Sequence, residues 1–241
     1  MRAINAVLVV ADISGYTNFV VMNKSSIVHA EQIITELMEV IAKNTKLPLK
    51  VQKLEGDAVF MFAEITSNRQ VSINDMTRQV VDFMNLYQEK QKELFRKSVG
   101  GCACSACQSI ENLHLKCAIH FGEVVEKQVE GRQELAGEPV ILVHRLMKNS
   151  VNADTYLLTT EAVSKELCFS PFPVQKSYKE LVSDIGSTPV EVYFSQKLEL
   201  DRENIDACGW ATRKLEGLRL LLGWILEHIK KGRTNFHNMP M

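Results

Sequence analysis

The chain has 241 residues, of which 46% are hydrophobic, and its 28 Lys and Arg nearly balance 29 Asp and Glu to a formal net charge of -1. Such a length suffices for one large α/β core, and the balanced charge argues against a nucleic-acid partner or a strongly anionic surface. The apolar runs are too short to span a bilayer, and residues 1–5 lead straight into the first strand with no secretory signal, so a cytoplasmic protein without a membrane span is expected.

Residues 7–11 form a continuous apolar stretch, which predicts a buried strand ending at Asp12, with Gly15 and a helical pattern after it. Ser25 or Ser26 can cap a helix whose apolar face is Ile27, Ile33, Ile34, Leu37, Met38 and Ile41, ending before Leu47-Pro48. Residues 50–54 and 58–63 predict two strands around Glu55-Gly56-Asp57, a tight hairpin. A second helix is expected from about 74 to 97, with Met76, Val80, Phe83, Met84 and Leu94 inward and Glu89, Lys90, Lys92 and Glu93 in water. Leu113, Leu115, Cys117, Ile119 and Phe121 alternate with His114, Lys116, Ala118 and His120, the period of a strand. Residues 140–148 read as an amphipathic helix, Thr160 as the N-cap of a short helix to Leu167, and Val190, Val192 and Phe194 as a last strand. The order β-α-β-β-α-β is that of a ferredoxin-like core in an α/β (α+β) domain, placed at residues 1–197.

Residues 198–241 are expected to form a C-terminal helical extension. A charged connector at 198–204 precedes 210–231, where Leu215, Leu218, Leu222, Ile225 and Ile229 make one apolar stripe. This predicts a helix docked on the domain or on another subunit; the mixed flanking charges favour that over a membrane surface.

Asp12 and Asp57 each sit at a backbone turn beside β-prone residues. Hard oxygen ligands on rigid strand ends suit Mg²⁺ or Mn²⁺ bound to nucleotide phosphates, while the ordinary alternative for each is plain turn chemistry. The order of motifs along the chain adds weight. Val9-Val10-Ala11-Asp12-Ile13-Ser14-Gly15-Tyr16-Thr17 and Lys53-Leu54-Glu55-Gly56-Asp57-Ala58 resemble the two metal motifs of the class III nucleotidyl cyclase family, the adenylate and guanylate cyclase catalytic domains. Residues 115–125 are similar to that family's central strand and the glycine turn after it, at Gly122. Residues 134–140, running on to Arg145, are similar to the opening of its nucleotide-facing helix. The resemblance covers roughly residues 4–197 and is that of a divergent, bacterial-type member.

The resemblance implies that Asp12 and Asp57 carry two ions, Mg²⁺ or Mn²⁺, one activating the ribose 3′-hydroxyl and one neutralising pyrophosphate. It implies that backbone amides of Ile13, Ser14, Gly15, Tyr16 and Thr17 cradle the phosphates. Lys53 and Glu134 fall at base-reading positions, an ammonium for adenine N1 and a carboxylate for its amino group, which favours ATP over GTP. Arg145, eight residues after Gly137, matches the arginine that offsets charge at the α-phosphate. In this family active sites lie between two domains, so a homodimer with two composite sites is implied. The chain departs from the pattern twice. Ile141 stands where the transition-state asparagine belongs, and Ser183-Asp184-Ile185-Gly186-Ser187-Thr188 has no late lysine. An active adenylate cyclase making cyclic AMP and pyrophosphate and an inactive nucleotide-binding regulatory module therefore both remain open. The ordinary alternatives are a solvated strand lysine for Lys53, a loop charge for Glu134 and an exposed ion pair for Arg145; His120 and His144 receive no role.

Cys102-Ala103-Cys104-Ser105-Ala106-Cys107 follows Gly100-Gly101 in an insertion near residues 100–110. In a reducing compartment C-x-C-x-x-C suits a soft metal, with Zn²⁺ the leading candidate, or redox thiols, better than a disulfide framework. Zinc asks for about four ligands, so a fourth is needed from a second chain or from a histidine such as His114. Cys117 is less suited, because its alternation puts it on the apolar face. Free surface thiols are the plain alternative, and a scaffold or metal-sensing protein built on this loop is a third function.

Overall fold

The computed structural model describes residues 1–66, 69–102, 104–165 and 174–194. Strand β1 (Arg2–Ser14) leads into helix α1 (Tyr16–Met22), a 3₁₀ turn and helix α2 (Ile27–Asn44). The hairpin β2 (Lys50–Glu55) and β3 (Ala58–Glu64) follows, then the long helix α3 (Arg69–Gly101) and the short helix α4 (Ser105–Gln108). Strand β4 (His114–Val129) and strand β5 (Arg132–Ala136) form a second hairpin, capped by helix α5 (Glu138–Arg145). The chain continues through β6 (Tyr156–Thr160), α6 (Glu161–Ser164), β7 (Val174–Val182) and β8 (Gly186–Phe194).

The strands form one sheet in the order β2-β3-β1-β4-β6-β8-β7, with β5 paired to β4. The first four strands lie in the order of a ferredoxin-like unit and are all antiparallel, as two βαβ crossovers joined by a hairpin require. β1 is central and covered on both faces, which explains its unbroken apolar run. Val7, Val9, Ala11 and Ile13 enter the cluster built with α2 and α3. Ile4, Ala6, Leu8 and Val10 enter a second cluster, which α5 closes with Leu142 and Val143.

Both long helices follow their predicted apolar faces, with two adjustments. Ile33, Ile34, Leu37, Met38 and Ile41 are buried, but Ile27 is partly exposed and Ala30 takes the inward position of the first turn. α3 begins earlier than 74 because Arg69 anchors it, donating to Ala162 O at 3.0 Å and lying 3.8 Å over the Phe121 ring. It also ends later, at Gly101.

The expected turn at Gly122 is not one. β4 runs through it to Val129, and a Cβ at Gly122 would lie 2.5 Å from Pro139 Cγ, so the missing side chain admits the first turn of α5. The actual turn is at Glu130 and Gly131, with φ of +50° and +77°. The helix from Thr160 stops at Ser164 instead of Leu167, and Leu167 lies outside the described residues. So do the connector and the helical stripe of 198–241. Among the described residues no helix is long and apolar enough to cross a membrane.

Candidate functional site

β1 and the β2–β3 hairpin bring the two aspartates to one edge of the sheet. Asp12 faces Ala58 across the β1–β3 ladder, and Ile13 N–H donates to Asp57 O at 3.1 Å. That bond ties the two segments together, so the Ile13 amide joins them instead of facing a phosphate. Burial, and next the charge of Asp12, hold the Asp57 carboxyl above its ordinary value, so the two carboxylates sense each other.

Two further groups that the motifs did not reveal, Lys116 and Glu31, meet them, the second through Tyr16 of the first motif. Lys116 Nζ lies 3.0 Å from Asp12 Oδ2, with both side chains only 18% exposed, and also donates to Met147 O at 3.2 Å. Asp12 and Lys116 are directly cross-strand on β1 and β4, a pairing that becomes visible only once the register is known. Tyr16 Oη donates to Glu31 Oε1 at 3.1 Å. Its phenol is raised by burial, then by that bond to Glu31, with Asp57 adding a smaller push. Glu31 thereby stands as a third acidic group near the pair.

Gly15, at φ +88°, turns the chain from β1 into α1, and a Cβ there would lie 2.5 Å from Asn112 O. Glycine is required on both counts. Ser14 remains paired opposite His114 at the end of β1, and Tyr16 and Thr17 open α1.

Lys53 sits at an irregularity of β2, 55% exposed, with Nζ 3.6 Å from Glu55 Oε1. Glu134 lies on β5 opposite Lys127. The strands that carry Lys53 and Glu134 are joined where Gln52 Nε2 donates to Gln133 O at 2.5 Å. Glu55 also binds His144 Nε2 at 2.9 Å, and the His144 ring packs edge-on to Phe60. Arg145 ends α5 and is held by the β7–β8 turn: Nη1 donates to Ser183 O and lies 2.9 Å from Asp184 Oδ2. Asp184 thus meets Arg145 in the loop where a lysine was expected, and Ile141 on the same helix is 50% exposed.

His120 is buried on β4, with Nδ1 2.8 Å from Thr160 Oγ1, and burial lowers its value to about 4. It is a packed core histidine. The thiols of Cys102, Cys104 and Cys107 gather elsewhere, against the side of the sheet covered by α2 and α3, together with His29. This group could hold a metal ion. His29, in the first turn of α2, is the histidine that joins the thiols, in place of His114; its distance of more than seventy residues along the chain hid it. Cys117 is fully buried in the core, as its alternation implied.

The mixed sheet and its helices match the fold of solved nucleotidyl cyclase domains. The adenylyl cyclase CyaB from P. aeruginosa superposes with a TM-score of 0.58 at 13% identity, covering 82% of this chain and 98% of that one. The guanylyl cyclase Cya2 gives 0.58 at 14% identity, covering 84% and 96%. Residues 34–156, slightly more than half of the chain, match the family described as Protein of unknown function (DUF2652), and the chain belongs to that family. The uncharacterized protein Rv2561/Rv2562 of Mycobacterium tuberculosis (strain ATCC 25618 / H37Rv) is 35% identical over 132 residues, 55% of this chain. The match spans 59% of that relative's length.

Proposed function

We propose that the chain is a class III adenylate-cyclase-like protein that binds ATP through Mg²⁺ or Mn²⁺ at Asp12 and Asp57, in a site completed by a second copy. The observation that carries this is the meeting of two part-buried carboxylates, with Asp57 raised by burial and then by the charge of Asp12. A buried carboxylate raised by a neighbouring acidic group is what a hard divalent cation relieves. The bound ions would supply charge for the triphosphate and acidity for an attacking hydroxyl.

The chain's own residues divide the remaining work. Lys116 neutralises Asp12 when no cation is present and can be handed to Met147 O, which it already contacts. Lys53 and Glu134, on strands tied by Gln52, are the proposed readers of the adenine edge. Backbone amides from Ser14 to Thr17 are the proposed phosphate contacts. Arg145 must leave Asp184 to reach a phosphate, an exchange of one exposed carboxylate for a more highly charged partner. Homodimerisation is supported by apolar side chains left exposed around these elements: Leu54 on β2, Val129 on β4 and Ile141 on α5.

Turnover to cyclic AMP and pyrophosphate is the activity proposed. The second reading, a nucleotide-binding module without turnover, is favoured by one observation: neither Ile141 nor Asp184 can donate a hydrogen bond to a transition state, and losing one such donor costs on the order of a hundredfold. Calorimetry of ATP with and without Mn²⁺, beside an assay for cyclic AMP, separates the two. Metal-dependent binding with product is expected, and Asp57→Ala should lower the rate by about a hundredfold or more. Binding without product selects the second reading. Wild-type protein that binds no purine nucleotide in the presence of Mn²⁺ or Mg²⁺ rejects both.

A further inference from the structure

We infer that His29, Cys102, Cys104 and Cys107 form a closed zinc site that clamps the segment between α3 and β4 onto α2. The four ligand atoms lie within 4.8 Å of one another. His29 Nδ1 is 3.7 Å from Cys102 Sγ, 3.3 Å from Cys104 Sγ and 3.7 Å from Cys107 Sγ. A tetrahedral centre with Zn–S of about 2.3 Å and Zn–N of about 2.0–2.1 Å sets its ligands roughly 3.5–3.8 Å apart. The three distances from His29 need shifts of only a few tenths of an ångström to match it, and the widest separation in the set, within 4.8 Å, closes by at most about 1 Å.

The donor set selects the ion. Three sulfurs and one imidazole are soft to borderline ligands, unsuited to Mg²⁺ or Ca²⁺ and suited to zinc in a tetrahedral site. None of Cys102, Cys104 and Cys107 forms a disulfide. A redox pair would use two of them and would not need an imidazole nitrogen equally close to the third. With four protein ligands no position is left for water or substrate, so the site is structural, not catalytic.

What it would hold together is visible around it. Cys104 is the N-cap residue of α4, and Gln108 N–H donates to Cys104 O at 3.2 Å. Past α4, Asn23 Nδ2 contacts Ser109 Oγ at 3.3 Å, joining the segment to the end of α1. Gln91 Nε2, from α3, donates to Ile110 O at 2.8 Å and Leu113 O at 2.6 Å. Asn112 O then closes against Gly15, the turn that follows Asp12. The ligands come from two places far apart in sequence, the first turn of α2 and the segment after α3. Binding energy at such a site is therefore folding energy for the whole segment.

The inference does not depend on the nucleotide site, and its test needs no nucleotide. Full-length protein is purified reduced from cells supplied with zinc, and its metal content is measured by elemental analysis. About one zinc per chain is expected, as a four-ligand site holds a single ion. His29→Ala and Cys107→Ser should each weaken zinc binding by more than about a hundredfold, beyond the cost of losing an outer-shell partner. Cys117→Ala, which alters a core thiol outside the cluster, should keep its zinc. Should a ligand variant fail to fold, Co²⁺ added to metal-depleted wild type decides: tetrahedral d–d absorption with thiolate charge transfer supports the site. Octahedral cobalt, zinc below one-tenth per chain, iron in its place, or zinc undiminished in His29→Ala overturns it.

Discussion

His120 is the residue whose ionisation bears most directly on stability. It is 8% exposed, with Thr160 beside its Nδ1, and burial lowers it from 6.5 to about 4. The folded protein therefore keeps the ring neutral while the unfolded chain takes up a proton near pH 6.5. Its contribution is complete above that value and is lost as pH falls through 6.5 toward 4, by about 2 kcal/mol at pH 5 and up to about 3 kcal/mol below pH 4. Urea unfolding at pH 7.5 and pH 5 should show this loss in wild type and a smaller one in His120→Gln. At this scale the sequence was informative where chemistry is local. Asp12 and Asp57 stand out because each follows or precedes an apolar strand at a turn, and the thiols because their spacing is short. Lys116 and His29 were not legible, since the first acquires its partner through sheet register and the second through the packing of α2 on a distant loop.

Among the elements, the α3–β4 connection is held by a polar anchor. The Gln91 side chain is buried on α3 and donates to two carbonyls, those of Ile110 and Leu113, the first of which also accepts from Leu113 N–H. Replacing it by leucine keeps the volume but removes the donor to Leu113 O while Ile110 O keeps Leu113 N–H, so Gln91→Leu should cost roughly 1–3 kcal/mol by guanidinium unfolding, the range for one unsatisfied buried group. Elements with a strong period were readable: α2, α3, the β2–β3 hairpin and the start of β4 lie within a few residues of expectation. The β4–β5 hairpin was missed because its turn uses Glu130 at φ +50°, where Asn, Asp or Gly would have announced it. Gly122 misled in the opposite sense. It marks a close approach by Pro139, and backbone proximity of that kind leaves the same letter in the sequence as a bend.

The whole molecule divides unequally across its sheet. The antiparallel unit of β1 to β4 carries the aspartates and both long helices, whereas β6, β8 and β7 join it through one short parallel ladder, Lys116–Ile119 against Tyr156–Thr159. Parallel pairing is somewhat weaker per residue, and four rungs offer little redundancy. The outer strands are further fastened by Arg145 to Asp184 and by Glu180, which accepts from Ser150 N–H at 3.1 Å and from Ser150 Oγ at 2.8 Å. Deuterium uptake under native conditions should therefore reach the amides of β7 and β8 before those of β1, as a cooperative partial opening. The ladder that bounds such an opening includes Lys116, and the clasp across it includes Arg145. One fluctuation would thus release the guanidinium from its acidic tether and bare the flank of the strand that carries Lys116, so breathing of the outer strands would be felt both at the end of α5 and next to the cation resting on Asp12.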